Sequence, residues 1–152
     1  TRNDEEYKDI DNLGSFDVII AMAVIEHIPH SPKHFFNTLK KKIKPGGLLA
    51  IDTPNLTSYW HRVNINNDKS VFQDLESHFN TSIPYGGHHR EYTGDELIWI
   101  MKNIGCTEVK LKRFDYNLLQ FSSISGIHLK CLEEIIINPT KSDTILSVGR
   151  IN

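Results

Sequence analysis

Phe16-Asp17-Val18-Ile19-Ile20-Ala21-Met22 is an apolar run of strand length, rich in β-branched residues. It follows a polar approach in which Asp4, Glu5, Glu6, Asp9 and Asp11 outnumber Arg2 and Lys8. A run that is apolar on both faces is the pattern of a buried parallel strand. The period then becomes helical. Ser31 and Pro32 predict an N-cap and a first-turn proline, Phe35, Phe36, Leu39 and Ile43 line one side, and Lys40, Lys41, Lys42 and Lys44 suit the negative end of the helix dipole. Pro45-Gly46-Gly47 predicts a type II turn that stops the helix, and Leu48 to Thr53 a second buried strand. Strand, helix, turn, strand is a βαβ unit, whose crossover is right-handed.

From Pro54 to Tyr92 this regularity lapses, and a span of that length between core elements predicts a substrate-side insertion or lid over 54–92. Within it Phe72, Leu75 and Phe79 fall at the spacing of a short helix. Thr93-Gly94-Asp95-Glu96 is a capping box opening a helix with Leu97, Ile98, Met101 and Ile104 as its buried stripe and Gly105 as its end. Trp99, on the same amphipathic helix, is expected to pack in the core. Residues 107–114 alternate as a half-exposed strand does. The apolar stretch 118–137 predicts a helix around Ile127 to Ile137, and Asp143 to Ile151 a final strand. The fold class is therefore α/β, with one domain over 1–152. It is the C-terminal part of a doubly wound fold, because the opening βαβαβ half is not among these elements.

Composition narrows the function. The 152 residues suit one domain. With 17 basic against 19 acidic residues the net charge is −2, which gives no footprint for nucleic-acid binding. No run nears the roughly eighteen apolar residues of a membrane span. Cys106 and Cys131 have neither metal nor redox spacing, so they are expected as free thiols in a reducing, cytoplasmic setting. Lys40 to Lys44 fit a solvated helix end better than a nucleic-acid patch. His30 and His34, four apart on a helix, fit solvated surface groups.

In open α/β sheets, ligands sit beyond the carboxyl ends of the strands. Those ends deliver Ala21-Met22-Ala23 leading into Glu26-His27, and Thr53-Pro54-Asn55. Gly86-Gly87-His88-His89-Arg90-Glu91-Tyr92 is placed to fold over the same face. Tyr59, Trp60 and Tyr85 in the insertion would suit an aromatic wall for a substrate or a sulfonium cation.

The series FDVIIAMAVIEHIPHSPKHFF, LKKKIKPGGLLAIDTPN, GGHHREYTGDEL and MKNIGCTEV resembles the carboxyl half of class I S-adenosylmethionine-dependent methyltransferases, in the branch that includes ubiquinone-type O-methyltransferases. The resemblance implies a Rossmann-like, mostly parallel sheet with a final antiparallel strand. It implies methyl transfer, at oxygen, to a small-molecule or glycan-precursor acceptor. Ala21, Met22 and Ala23 would lie along the cofactor, Glu26 and His27 at the floor of the active site, and Thr53, Pro54 and Asn55 beside the substrate. The family's Gly-x-Gly turn and its ribose-binding acid have no counterpart here and would lie upstream of Thr1. The S-adenosylmethionine site is thus expected to be incomplete, and the fragment inactive alone. A hydroxyl nucleophile benefits from a base that titrates near neutrality, which makes His27 the first candidate and His88 or His89 the next.

Some relatives hold a divalent ion with Glu-x-x-Glu-His and a later histidine. Here Ala23 stands where the first carboxylate would be, so no metal is expected, although Glu26, His27 and His88 or His89 would supply three ligands. The competing expectation is a non-catalytic remnant or binding module that keeps the second half of the fold. In the family's strand order Phe16 to Met22 would be an uncovered apolar edge, which predicts self-association.

Overall fold

The first strand, β1 (Phe16–Ala21), and the second, β2 (Ile43–Pro54), run parallel, joined through α2 (Lys33–Lys42), as the βαβ pattern requires. In the computed structural model residues 7–82, 85–116 and 126–152 are described. Arg2, Asp4, Glu5 and Glu6 of the polar approach, and residues 117–125 of the later apolar stretch, lie outside them. A short helix, α1 (Lys8–Asp11), precedes β1. After β2 come α3 (Tyr59–Asn66), α4 (Leu75–Phe79), α5 (Gly94–Asn103), β3 (Cys106–Phe114), α6 (Gly126–Ile137) and β4 (Thr144–Ile151).

The sheet order is β1-β2-β4-β3. Strand β4 is antiparallel to both β2 and β3, so β1, β2 and β3 share one direction and the last strand opposes them. This is a mixed sheet, with β1 and β2 as its one parallel pair and the final antiparallel strand that the resemblance implies.

The core lies where α2 and α5 meet the sheet. Phe36, Leu49, Ile51, Leu97, Met101 and Ile145 are all buried in one cluster, each contributing about 1.5–3 kcal/mol on leaving water. A Cβ added to Gly149 would lie 2.7 Å from Cys106 Cβ and 3.3 Å from Met101 Cε, which shows how closely α5 rests on β4. The capping box forms as expected: Thr93 Oγ1 accepts from the Glu96 N–H, and Glu96 accepts from the Thr93 N–H at 2.9 Å. Gly105, at φ +96°, closes the helix in the left-handed region.

Four local expectations are corrected. Pro32, not Ser31, occupies the N-cap of α2, because the helix begins at Lys33, although Ser31 Oγ still accepts from the Lys33 N–H at 3.4 Å. Ile43 is the first residue of β2 and not part of the α2 stripe. His30 precedes α2, so it does not share a helix with His34, whose ring lies 5.3 Å from that of Tyr7. Trp99 is 65% exposed and not in the core; it follows the buried Leu97 by two residues, about 200° around a helix.

Pro45-Gly46-Gly47 also acts differently from a free-standing turn. Phe16 pairs with Ile43 and Val18 with Leu48, so residues 44–47 bulge out opposite Asp17. Gly46 takes φ +80°, and a Cβ on Gly47 would come within 2.8 Å of the Asp17 carbonyl. The burial expected of β1 is corrected as well: Ile19 and Ala21 face the core, but Val18 and Ile20 on the opposite face, and Met22 just past the strand, are 49, 63 and 46% exposed.

Candidate functional site

The chain leaves β1 through a left-handed residue. Ala23 has φ +51°, and its N–H donates to Asp52 Oδ1 at 2.7 Å on the neighbouring strand. Burial pushes the Asp52 carboxyl above its ordinary range, and the Ala23 hydrogen bond works against that push. The turn delivers Ile25-Glu26-His27 as one turn of 3-10 helix beyond the end of β1.

Glu26 is only 1% exposed. Thr53 Oγ1, at the end of β2, donates to its Oε2 at 3.1 Å, while Oε1 is buried with no hydrogen-bond partner. The segment from Tyr85 folds over this turn, as its placement in the sequence predicts. His89 N–H donates to the Glu26 carbonyl at 2.7 Å, and His27 Nδ1 lies 3.0 Å from the Gly86 carbonyl and 3.2 Å from that of Gly87. Carbonyls only accept, so Nδ1 of His27 carries the proton and Nε2 the free lone pair.

The two histidines of this segment part company. His88 turns inward: its ring stands edge-on to His27 at 4.9 Å, and Glu26, His27 and His88 each bring one ligand atom within 4.8 Å of the others. His89 turns away, with Nε2 3.0 Å from the Tyr85 carbonyl and its ring against Tyr85 at 5.2 Å.

Of the other sequence candidates, Ala21 is buried at the strand end, and Met22 and Ala23 are exposed beside it. Asn55 is occupied structurally, since its Nδ2 donates to the Thr140 and Ser142 carbonyls at 2.9 and 2.7 Å. Tyr59 and Trp60 stand edge to face at 5.3 Å, and Tyr85 stands edge to face with His78 and His89. A separate cavity of about 820 Å³ lies between α2 and α5, lined by Phe36, Tyr92, Trp99 and Ile100 among others, and none of Glu26, His27 and His88 faces it. Sequence reasoning missed Glu91, whose carboxylate lies 3.0 Å from His88 Nδ1 and 3.4 Å from His61 Nε2. Nothing local marks it, because His61 sits thirty residues earlier on α3.

This sheet order, with chemistry gathered past the ends of its parallel strands, defines a class. A profile described as a methyltransferase domain matches residues 1–111, and the chain belongs to that family. It is 33% identical over 117 residues to a mitochondrial ubiquinone biosynthesis O-methyltransferase of Dictyostelium discoideum, covering 76% of this chain and 34% of that protein. A ubiquinone biosynthesis O-methyltransferase of Colwellia psychrerythraea is 27% identical over 124 residues, 81% of this chain and 45% of that one. The chain thus spans between a third and a half of the length of these two relatives. Among solved structures, a possible histamine N-methyltransferase of Thermotoga maritima superposes with a TM-score of 0.58 at 18% identity, over 94% of this chain and 61% of the other. A methyltransferase of Archaeoglobus fulgidus superposes with a TM-score of 0.53, also at 18% identity, over 94% and 63%. These two likenesses show the fold. No helix among the described residues is long and apolar enough to cross a membrane.

Proposed function

We propose that this chain carries the acceptor side of an S-adenosylmethionine-dependent methyl transfer to a hydroxyl of a small molecule or glycan precursor. The observation that carries the reading is the convergence of Glu26, His27 and His88 beside the C-terminal end of β1. The names of the two ubiquinone relatives favour oxygen as the acceptor atom.

Ala21, Met22 and Ala23 would lie along the cofactor, and the exposure of Met22 and Ala23 fits a ligand resting on them. S-adenosylmethionine supplies a methyl group on a positively charged sulfur. The chain's own groups do the rest. His27, exposed and held by two carbonyls at Nδ1, offers Nε2 to the acceptor hydroxyl and takes its proton. The buried Glu26 carboxylate faces the imidazolium so formed. Holding the acceptor in line with the methyl group supplies much of the rate, and the 54–92 segment, whose Gly86 and Gly87 carbonyls meet His27, would serve as the substrate-side lid.

The test is methyl transfer by the full-length protein from labelled S-adenosylmethionine to a panel of phenols and sugar precursors. His27→Ala is expected to cut turnover about 10²- to 10⁴-fold without unfolding the protein. Unchanged turnover removes His27 from the mechanism. A full-length protein that neither binds the cofactor nor transfers methyl leaves the binding-module reading.

The orphaned Glu26 Oε1 favours a second reading, a divalent cation held by Glu26, His27 and His88. One carboxylate with two imidazoles suits Zn²⁺ or Mn²⁺ better than Mg²⁺, and such an ion would polarise the acceptor oxygen. Calorimetry with the three ions decides it, and no heat from any of them removes the metal.

The terminal position of β1 in the sheet, with Val18 and Ile20 exposed on one face, supports one partner as well, a second copy of the chain paired along that edge. Size-exclusion of the 152-residue chain tests this, with a sharp monomer peak as the result against it.

A further inference from the structure

Glu91 stands between two histidines that come from different parts of the chain. Its side chain is 15% exposed, with Oε1 3.0 Å from Nδ1 of His88 and Oε2 3.4 Å from Nε2 of His61. The first contact is a hydrogen bond. The second is an ion-pair distance without hydrogen-bond geometry, and Oε2 is otherwise buried and unbonded. A carboxylate only accepts, so the His88 contact places a proton on Nδ1 and leaves the lone pair on Nε2.

His61 is fixed from its other side. Its Nδ1 lies 3.0 Å from the Leu56 carbonyl, which takes the Nδ1 proton, so the ring is oriented with Nε2 towards Glu91. His61 belongs to α3, whose start is capped by the Ser58 hydroxyl accepting from the His61 N–H. Glu91 therefore links a helix of the 54–92 insertion to the ring that stands edge-on to His27.

We propose that Glu91 is a positioning residue for this site: clasped between His61 and His88, it holds the His88 proton on Nδ1 and so presents Nε2 as the nitrogen free to take a proton or bind a ligand. His27 is set in the same tautomer by two backbone carbonyls. The site thus holds two imidazoles with the same nitrogen free, one fixed by backbone carbonyls and one by a carboxylate, both supplied by the 54–92 segment. The turnover half of this assignment rests on the methyl-transfer reading, but the tautomer half does not.

Long-range proton–nitrogen NMR of the ¹⁵N-labelled full-length protein reads the tautomer directly. In the wild type, neutral His88 is expected to show a protonated Nδ1 and a bare Nε2. In Glu91→Leu the Nε2-protonated form is expected to appear, with kcat falling about 10- to 100-fold and the acceptor KM nearly unchanged. An Nε2-protonated His88 in the wild type overturns the proposal without any variant, and so does a folded Glu91→Leu protein with an unchanged tautomer. A switched tautomer with unchanged turnover keeps the Glu91–His88 pairing and overturns its part in turnover. A wild type with the expected tautomer but no methyl transfer supports the pairing and refutes the functional reading alone.

Discussion

The Thr53 hydroxyl donates to the Glu26 carboxylate at 3.1 Å, joining the end of the second strand to the turn that follows the first. Both residues are 1% exposed, so the bond is screened from water. Thr53→Val keeps the shape and removes the donor, leaving Glu26 with neither oxygen hydrogen-bonded. The expected cost is about 1–3 kcal/mol, read as a lower denaturation midpoint with an unchanged slope.

Ala23 is held in the left-handed region by its bond to Asp52. An L residue loses about 1–2 kcal/mol there, whereas glycine loses about 0.5–1 kcal/mol to its freer unfolded chain. Ala23→Gly is therefore expected to stabilise the fold by up to about 1 kcal/mol. A thermal melt that falls instead would show that the methyl group has packing value at the site.

The Thr93 N–H, donating to the Glu96 carboxylate, is the largest influence holding that group below its usual range. A carboxyl depressed in the folded state contributes stability that is present above its unfolded value, about 4.3, and is lost as pH falls through the folded one. Thr93→Ala is expected to cost about 1 kcal/mol near neutrality. That backbone N–H survives in the variant, so chemical denaturation should show nearly the same loss for both proteins as the pH drops from about 5 to 3, and a smaller one for Glu96→Gln.

Burial pushes the thiols of Cys106 and Cys131 up to about 11 each. A thiol raised in the folded state contributes stability that is complete below its unfolded value, near 8.5, and is lost as pH climbs through the folded one. Stability is thus expected to decline from about pH 8.5 towards 11. Both cysteines are free and buried, so alkylation at pH 8 should label them only in denaturant. Fast labelling of the native protein would contradict this.

The elements most legible in the sequence are those fixed by local chemistry. The βαβ unit follows from apolar periodicity, and the capping box of α5 is complete within four residues. α3 is less legible: Tyr59-Trp60-His61-Arg62 has no apolar stripe, and its one clear signal is the Ser58 cap. α4 takes in only Leu75 and Phe79 of the expected Phe72, Leu75 and Phe79 series, because the Asp74 cap starts it after Phe72, and all three side chains are exposed, since spacing does not fix what covers a face. At the site, Glu26 and His27 follow from their place beyond a strand. The choice of His88 over His89 depends on which way a loop turns, and Glu91 depends on a partner thirty residues away. Neither leaves a mark in local sequence.

The position of β4 has a consequence for how the molecule is made. Residues 144–151 fill the gap between β2 and β3, which were synthesised earlier. Until they leave the ribosome, β3 has no neighbour and β2 shows an open edge on the side away from β1. Local helices form on the nascent chain, but the sheet closes only after translation of its central strand. Pairings of such large sequence separation form slowly and leave apolar edges exposed in the meantime, so the time between synthesis and closure is when this chain most needs protection from its neighbours.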